Sequence, residues 1–504
     1  MTIDPNTPVI IGAAQRTWRR GSQPGPEPLD AWEVACREAV TDAGLGPCTA
    51  AQAGGLWLAD CMSWRYDDPH ARLGRRLGAA PRLGRVGAPS GTSGQTLFDE
   101  AAAEIRGGHI GLALVCGGEM LATARYYRGL RQMPPWHHPH SGGPQHAFDL
   151  DAHQHPGEVA IGLTEGIGAV YGFAMRDIAR RAHLGIAPQA YRDHLAETLA
   201  GLTRVAASNP DAWFAEARTA NELSTPHPDN RFVAYPYTKR MVAMIEVDIS
   251  AALLIASQAW ADSHGVPAER RIYPWVSCYA EDPVYIAVRP ELWRSPAMEA
   301  ACRATLDAAR LSIDEIEHID LYSCFPSAIN FARDALGISE CSGERLTLTG
   351  GLPYAGGPAS SYMLTSIVAA VRRLRLDRRA KALISGLGMM MSNHVFALYA
   401  AAPPGREIGQ PDGAAVQARL DTLLRFDIRD DYTGPATVAA YTVMYGRDGQ
   451  PSHGAAICDV PGPARCHARI LDSRLLDDAN RNEWVGRAVD IAAGKDVGTI
   501  VRLL

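Results

Sequence analysis

Two stretches of this chain recur far downstream, in the same order. ACREAVTDAGL (35–45) returns as ACRATLDAARL (301–311), and LALVCGGEM (112–120) returns as KALISGLGM (381–389). In the second pair Ala113, Leu114, Gly117 and Met120 match Ala382, Leu383, Gly386 and Met389, and both echoes are offset by roughly 266–269 residues. A long unit occurring twice constrains the fold to two similar halves packed together. Each half alternates short apolar runs with helical patterns. The runs are Val9–Gly12, Leu112–Cys116, Ile316–Leu321 and Ala382–Ser385; the helical spacings cover Leu29–Ala43, Gly94–Arg106, Pro296–Ala309 and Pro358–Arg375. This alternation predicts an α/β fold on buried, largely parallel sheets.

Between the halves lies an excursion, residues 121–240, rich in aromatics, His and Arg, with helical stretches at Ala174–Ala182 and Pro188–Ala207. An insertion of that length is usually a lid or a binding element. After the second half, AAPPGREIGQPDGAA (401–415) is a Pro/Gly break. Beyond it ATVAAYTVMY, HGAAICDV and RCHARILD read as successive strands, with Arg447-Asp448-Gly449 as a hairpin turn and Cys458 and Cys466 as strand residues flanking Pro461-Gly462-Pro463. The expected division is 1–265, 266–402 and a small all-β, OB-like barrel at 410–504.

Composition removes several functional classes. A net charge of −6 offers no basic face for nucleic acid. No apolar run is long enough to span a bilayer, and MTIDPNTPVIIGAAQ lacks the basic start of a signal peptide. Ten cysteines without a CxxC pair fit a reducing cytosol better than a disulfide or zinc-ribbon scaffold.

VGAPSGTSGQTLFDEAAAEIRGG (86–108) is a small-residue turn running into an amphipathic helix, a usual seat for a nucleophile. Leu97, Ala101 and Ile105 mark the buried face, and Thr92 or Ser93 stands at the N-cap. Gln95 excludes the serine-hydrolase G-x-S-x-G elbow.

This turn, followed by CGGEM (116–120), YTKRMVAMIEVDISAALL (237–254), IDLYSCFPSAINFARDALGI (319–338), GGLPYAGGPASSY (350–362) and ISGLGMM (384–390), resembles the thiolase superfamily over about residues 1–402. The closest likeness is to the type 1 thiolase-like proteins, related to sterol-carrier-type thiolases and carrying an added C-terminal domain. The resemblance implies a duplicated, five-layer αβαβα thiolase fold. It also implies a mechanism in which a cysteine takes the acyl group, a G-H-P histidine activates it, a C-x-G cysteine moves the α-proton, and an Asn or His motif completes the oxyanion hole. In this chain the nucleophile position is Gly91, the histidine position is Gly357 and the second cysteine position is Ile384; the His-Asp-Cys-Phe motif has become Tyr322-Ser323-Cys324-Phe325. A general base alone contributes about 10²–10⁴-fold, so ordinary thiolysis is expected to be down by at least about 10⁴-fold.

The remaining candidates follow from the same comparison. Cys324, Tyr322 and Tyr354 are the polar groups left for catalysis; related thiolase-fold aldolases acting on steroid side-chain CoA esters use tyrosines. Gly91, Ser93, Gly356, Gly357 and Gly386 are the expected contacts for CoA or acyl-CoA, with no tightly bound cofactor. The expected activity is therefore an acyltransferase-like fold in lipid metabolism that binds CoA thioesters without the cysteine mechanism. The alternatives are a non-enzymatic acyl-CoA or lipid-binding module, or an interaction protein. PPWHHPHSGGPQHAFDLDAHQHP (134–156) holds six histidines with Asp149 and Asp151, but its Pro- and Gly-broken course lacks ligand spacing, so no metal is expected. A monomer or homodimer is expected, with the C-terminal domain as a docking or capping element.

Overall fold

The computed structural model describes residues 3–19, 24–141, 153–164, 168–339, 341–405 and 408–504. His146, Asp149 and Asp151 of the histidine-rich run lie outside these. The first sheet uses β1 (Pro8–Thr17), β2 (Gly55–Leu58) and β3 (Leu112–Met120). After the excursion and its two short strands, β4 (Phe232–Ala234) and β5 (Tyr237–Thr238), it is completed by β6 (Asp248–Ser257), in the order β1-β6-β3-β2. The second sheet comprises β7 (Tyr273–Glu281), β8 (His318–Asp320), β9 (Lys381–Gly388) and β10 (Asn393–Ala400), in the order β7-β10-β9-β8.

The two orders coincide, with β3 and β9, the pair sharing the echoed sequence, third in each. The echoed helices are equivalent too. Pro28–Asp42 packs on β1 and β6, and Pro296–Ala309 packs on β7 and β10. Between the sheets lie helices Ser93–Arg106 and Tyr362–Leu376, giving five layers. Leu97, Phe98, Ala101 and Ile105 meet Met363, Leu364, Ile367 and Val371 in one core. A β-carbon on Gly94 would stand 2.8 Å from the Leu364 nitrogen, so glycine is what lets the two helices start against each other.

The expectation of largely parallel sheets is corrected. In each sheet two pairings are antiparallel, β1·β6 and β6·β3 or β7·β10 and β10·β9; only β2·β3 and β8·β9 run parallel. Continuous apolar runs report burial on both faces, as in β3 and β6, and carry no information on strand direction.

The excursion contains helices Ala169–His183 and Pro188–Ser208. The C-terminal domain contains β11 (Asp427–Ile428), β12 (Gly434–Tyr445), β13 (Pro451–Val460), β14 (Ala464–Ile470), β15 (Ala488–Ala492) and β16 (Gly498–Leu503). β12 pairs with β13, β13 with β14, β14 with β16, β16 with β15, and β15 with β12, so five strands close into a ring. Closure removes the sheet edges. Helices Gly413–Leu420 and Ser473–Arg481 make the domain β-rich rather than all-β. It is stitched to the excursion: Ala234 of β4 pairs with Met444 of β12, and the Tyr235 N–H donates to the Val443 carbonyl at 2.8 Å.

Candidate active site

The turn before the Ser93–Arg106 helix is held by its own hydroxyls. Ser93 donates to the Ala88 carbonyl at 2.7 Å, Ser90 and Thr92 share a 2.8 Å hydroxyl contact, and the Thr92 N–H reaches Ser90 Oγ at 3.2 Å. Thr92 occupies the N-cap, but no side chain caps the helix there. The expected capping bond is replaced by loop closure, because these hydroxyls find partners behind the helix mouth. Ser90 has another hydroxyl beside it rather than a base, which a serine nucleophile would need.

Gly91 faces Tyr322. An ideal β-carbon on Gly91 would overlap the Tyr322 hydroxyl and the Leu387 carbonyl oxygen, and would lie 2.7 Å from Tyr322 Cζ. The space that a side chain at position 91 would take is thus filled by a phenol. Tyr322 follows β8 and is fixed twice: its N–H donates to Ser385 Oγ at 2.9 Å, and its ring meets Tyr362 edge-on at 5.4 Å. Cys324 is 8 % exposed, and its carbonyl accepts the Ala243 N–H at 2.8 Å. Burial pushes the Tyr322 phenol and the Cys324 thiol well above their ordinary values. The Phe325 N–H opposes the Cys324 shift only in part. Both groups are protonated at neutral pH, and so are hydrogen-bond donors rather than bases.

The 350–358 loop joins this cluster through Ser323, whose hydroxyl accepts the Leu352 N–H at 3.1 Å. Gly357 donates to the Met244 carbonyl at 2.8 Å, and a β-carbon there would touch Leu352 at 3.0–3.5 Å. Leucine therefore crowds the histidine position. Gly356 has φ +100°, and a β-carbon on it would press on Ile249, Val247 and Trp213. Tyr354 is 4 % exposed, and its hydroxyl finds no partner among the described residues. Burial raises its pKa, with Arg218 and Arg240 opposing.

Ile384 is fully buried in the core between the sheets; Gly386 lies under the Met363 side chain and adjoins Leu387, whose carbonyl faces Gly91. Structure thus joins Gly91 to Tyr322 and the Leu387 carbonyl, with Cys324 beside Tyr322, and joins Ser323 to Leu352 and Leu352 to Gly357; Tyr354 follows on the same loop. Leu352 escaped sequence reasoning because an aliphatic side chain carries no chemical signature, and Leu387 because its contact is a backbone carbonyl.

Beside this cluster opens a cleft of about 900 Å³, lined by Trp18, Arg19, Ala122, Trp213, Phe214 and Met244 among others. It abuts the site loop directly: the Trp213 and Phe214 N–H groups donate to the Ala355 and Tyr354 carbonyls at 3.0 and 2.8 Å, and Met244 donates to Leu352 at 3.2 Å. Among the described residues no helix is long and apolar enough to cross a membrane.

Comparison with known proteins agrees with this fold. Residues 415–496 match the thiolase-like protein type 1 additional C-terminal domain, and residues 89–171 match the β-ketoacyl synthase N-terminal domain. The solved structure of a monomeric SCP2-thiolase like protein type 1 from Mycobacterium smegmatis is 28% identical, covering 99% of this chain and 100% of that one at a TM-score of 0.85. The Ltp2-ChsH2(DUF35) aldolase is 18% identical, over 78% of this chain and 98% of that one, with a TM-score of 0.57. The human mitochondrial 3-ketoacyl-CoA thiolase in complex with CoA is 15% identical, over 79% and 99%, with a TM-score of 0.54. The last two share the fold alone. No curated protein matches the chain. With its duplicated sheets and paired central helices the chain has the thiolase fold; it is similar over its length to a type 1 thiolase-like protein, and residues 415–496 match the additional C-terminal domain of that group.

Proposed function

We propose that this protein binds a CoA thioester at the Gly91 helix mouth and does not run cysteine-based thiolysis. The observation that carries the reading is the Tyr322 hydroxyl in the space of a Gly91 side chain. A phenol held protonated there donates to a thioester oxygen and cannot form an acyl adduct. Tyr354, with a buried hydroxyl unpaired among the described residues, is a second donor for the same oxygen. Preorganised donors aimed at developing negative charge contribute about 10²–10³-fold each. Such a pair suits a carbon–carbon cleavage of the retro-aldol type on a lipid or steroid acyl-CoA, in which charge gathers on the enolate oxygen of the thioester. The cleft beside the loop, lined by Trp18, Tyr126, Trp213 and Phe214 with Arg19, Arg125, Glu246 and Asp248, offers aromatic surface for the acyl portion of the ligand.

The non-enzymatic reading, a CoA or lipid-binding module, shares the same pocket and differs only in turnover. The closed ring of five strands supports an OB-like docking or capping domain. Ten unbridged cysteines favour the cytosol, and the monomeric Mycobacterium smegmatis relative favours a monomer.

The test is calorimetry with CoA, acetyl-CoA and long-chain or steroid acyl-CoA, together with release of free CoA or a cleaved fragment. Binding without acyl-enzyme formation supports the reading. No binding at millimolar concentration overturns it, and unchanged turnover in both Tyr322→Phe and Tyr354→Phe removes the tyrosines from the chemistry.

A further inference from the structure

Away from the Gly91 cluster, three elements distant in sequence converge on one point. His155 ends the histidine-rich run and precedes the short helix Pro156–Ala160. Asp430 lies in the loop after β11, and His467 lies on β14. Each offers a ligand atom, and the three atoms lie within 4.8 Å of one another. His467 Nδ1 is 2.8 Å from Asp430 Oδ1, His155 Nδ1 is 3.6 Å from Asp430 Oδ2, and the two imidazoles stand 5.5 Å apart, tilted by 30°.

Three features point to a cation. His155 Nδ1 accepts the Gly157 N–H at 3.1 Å, so it is the unprotonated nitrogen, and it faces a carboxylate oxygen that is also an acceptor; an ion bound at Nδ1 takes the lone pair from the Gly157 N–H. His467 is fully buried, and its Nε2 has no partner among the described residues. Gly157 is the third: a β-carbon on it would overlap both Asp430 Oδ2 and His467 Nδ1, so glycine lets the backbone pass close against the ligand atoms.

We infer that His155, Asp430 and His467 form a binding site for a borderline divalent transition metal such as Zn²⁺. Two imidazoles and one carboxylate are the donor set of such ions, whereas Mg²⁺ and Ca²⁺ select oxygen-rich shells. Metal–ligand bonds of about 2.0–2.2 Å set tetrahedral ligand separations of about 3.3–3.5 Å, within reach of small side-chain shifts from the spacing seen. Three protein ligands leave a fourth position for water. The ion joins the excursion to the C-terminal domain, so it strengthens the same seam that β4 and β12 make. The other group of this kind, Glu27, Asp30 and His137, is weaker: Glu27 already binds His138 and the Tyr66 hydroxyl, Asp30 pairs with Arg76, and the His137 side chain is 80% exposed.

The experiment uses the full chain without an affinity tag, stripped with EDTA. Zn²⁺ is titrated by calorimetry, and Co²⁺ by visible absorption. The expected result is one ion per chain, a higher unfolding temperature with Zn²⁺, and affinity lower by roughly a hundredfold in His155→Ala, since one of three ligands is lost. Asp430→Asn is the second variant; it keeps an acceptor for the His467 N–H and gives a similar loss. His137→Ala/His140→Ala keeps wild-type binding. The inference is overturned if the wild-type chain binds no stoichiometric ion, if His155→Ala binds as tightly as wild type, or if the His137/His140 variant is the one that loses the metal. Circular dichroism of each variant confirms that the fold is retained.

Discussion

The Tyr322 hydroxyl occupies the volume into which a side chain on Gly91 would grow. Two changes, a glycine at the helix mouth and a tyrosine at the oxyanion motif, therefore fit each other. Gly91→Cys should not simply restore a thiolase. It overpacks the site against Tyr322 and the Leu387 carbonyl, and is expected to lower stability by about 1–3 kcal/mol. Adding Tyr322→Asn should recover part of that loss, the Leu387 carbonyl remaining in place. Urea unfolding of the single and double variants measures the coupling; strictly additive losses would show that the two residues do not share the space.

Cys324 sits beside Tyr322 with its thiol pushed up by burial. At pH 7.5 it should be nearly inert to iodoacetamide, while exposed Cys48 reacts first. Peptide mass spectrometry of briefly alkylated native protein checks this, with all ten cysteines labelled in denaturant as the control. Rapid native labelling of Cys324 would show a thiolate.

The Tyr354 hydroxyl gains nothing from protein partners among the described residues. Tyr354→Phe should leave stability unchanged or raise it by up to about 1 kcal/mol, since an unsatisfied buried hydroxyl is removed. If the hydroxyl serves a ligand, the same variant loses turnover while keeping its unfolding midpoint. That split distinguishes a donor from a packing group.

Glu119 closes β3, fully buried, and accepts the Met62 and Ser63 N–H groups at 2.7 and 2.9 Å. Burial pushes its carboxyl up to about 7. Below its unfolded value of about 4.5, both states hold the proton. Between there and about 7 only the folded state does, so stability falls as pH rises through that window and levels off above it. The total is about 3 kcal/mol. Unfolding midpoints at pH 5, 6, 7 and 8 should decline more steeply in wild type than in Glu119→Gln.

Arg176, on the excursion helix, is 1 % exposed and donates to the Leu292, Met391 and Arg294 carbonyls at 3.2, 3.4 and 2.5 Å, with its guanidinium 4.5 Å from the Phe331 ring centroid. Arg176→Ala strands these acceptors and should cost about 3–5 kcal/mol, read by chemical denaturation. A loss under 1 kcal/mol would mean that water replaces the guanidinium.

The helices and strands of both halves were legible because burial patterns are local. Leu97, Ala101 and Ile105 announce a helix face, and the echo between 112–120 and 381–389 marks strands that take matching places in their sheets. The glycine at position 91 is equally a property of the chain. Other relationships were not legible, because each joins residues far apart. The Tyr322 hydroxyl reaches Gly91 across 231 positions, and Ala234 pairs with Met444.

By itself, then, the amino-acid order determined which segments are helix or strand, that the unit is doubled, and which chemical groups stand at each site position. Only tertiary structure decided strand direction, the closing of five strands into a ring, and what fills the space beside Gly91. Periodicity records how deeply a residue is buried along its own segment. The neighbour it is buried against is chosen by packing among segments brought together from the whole chain.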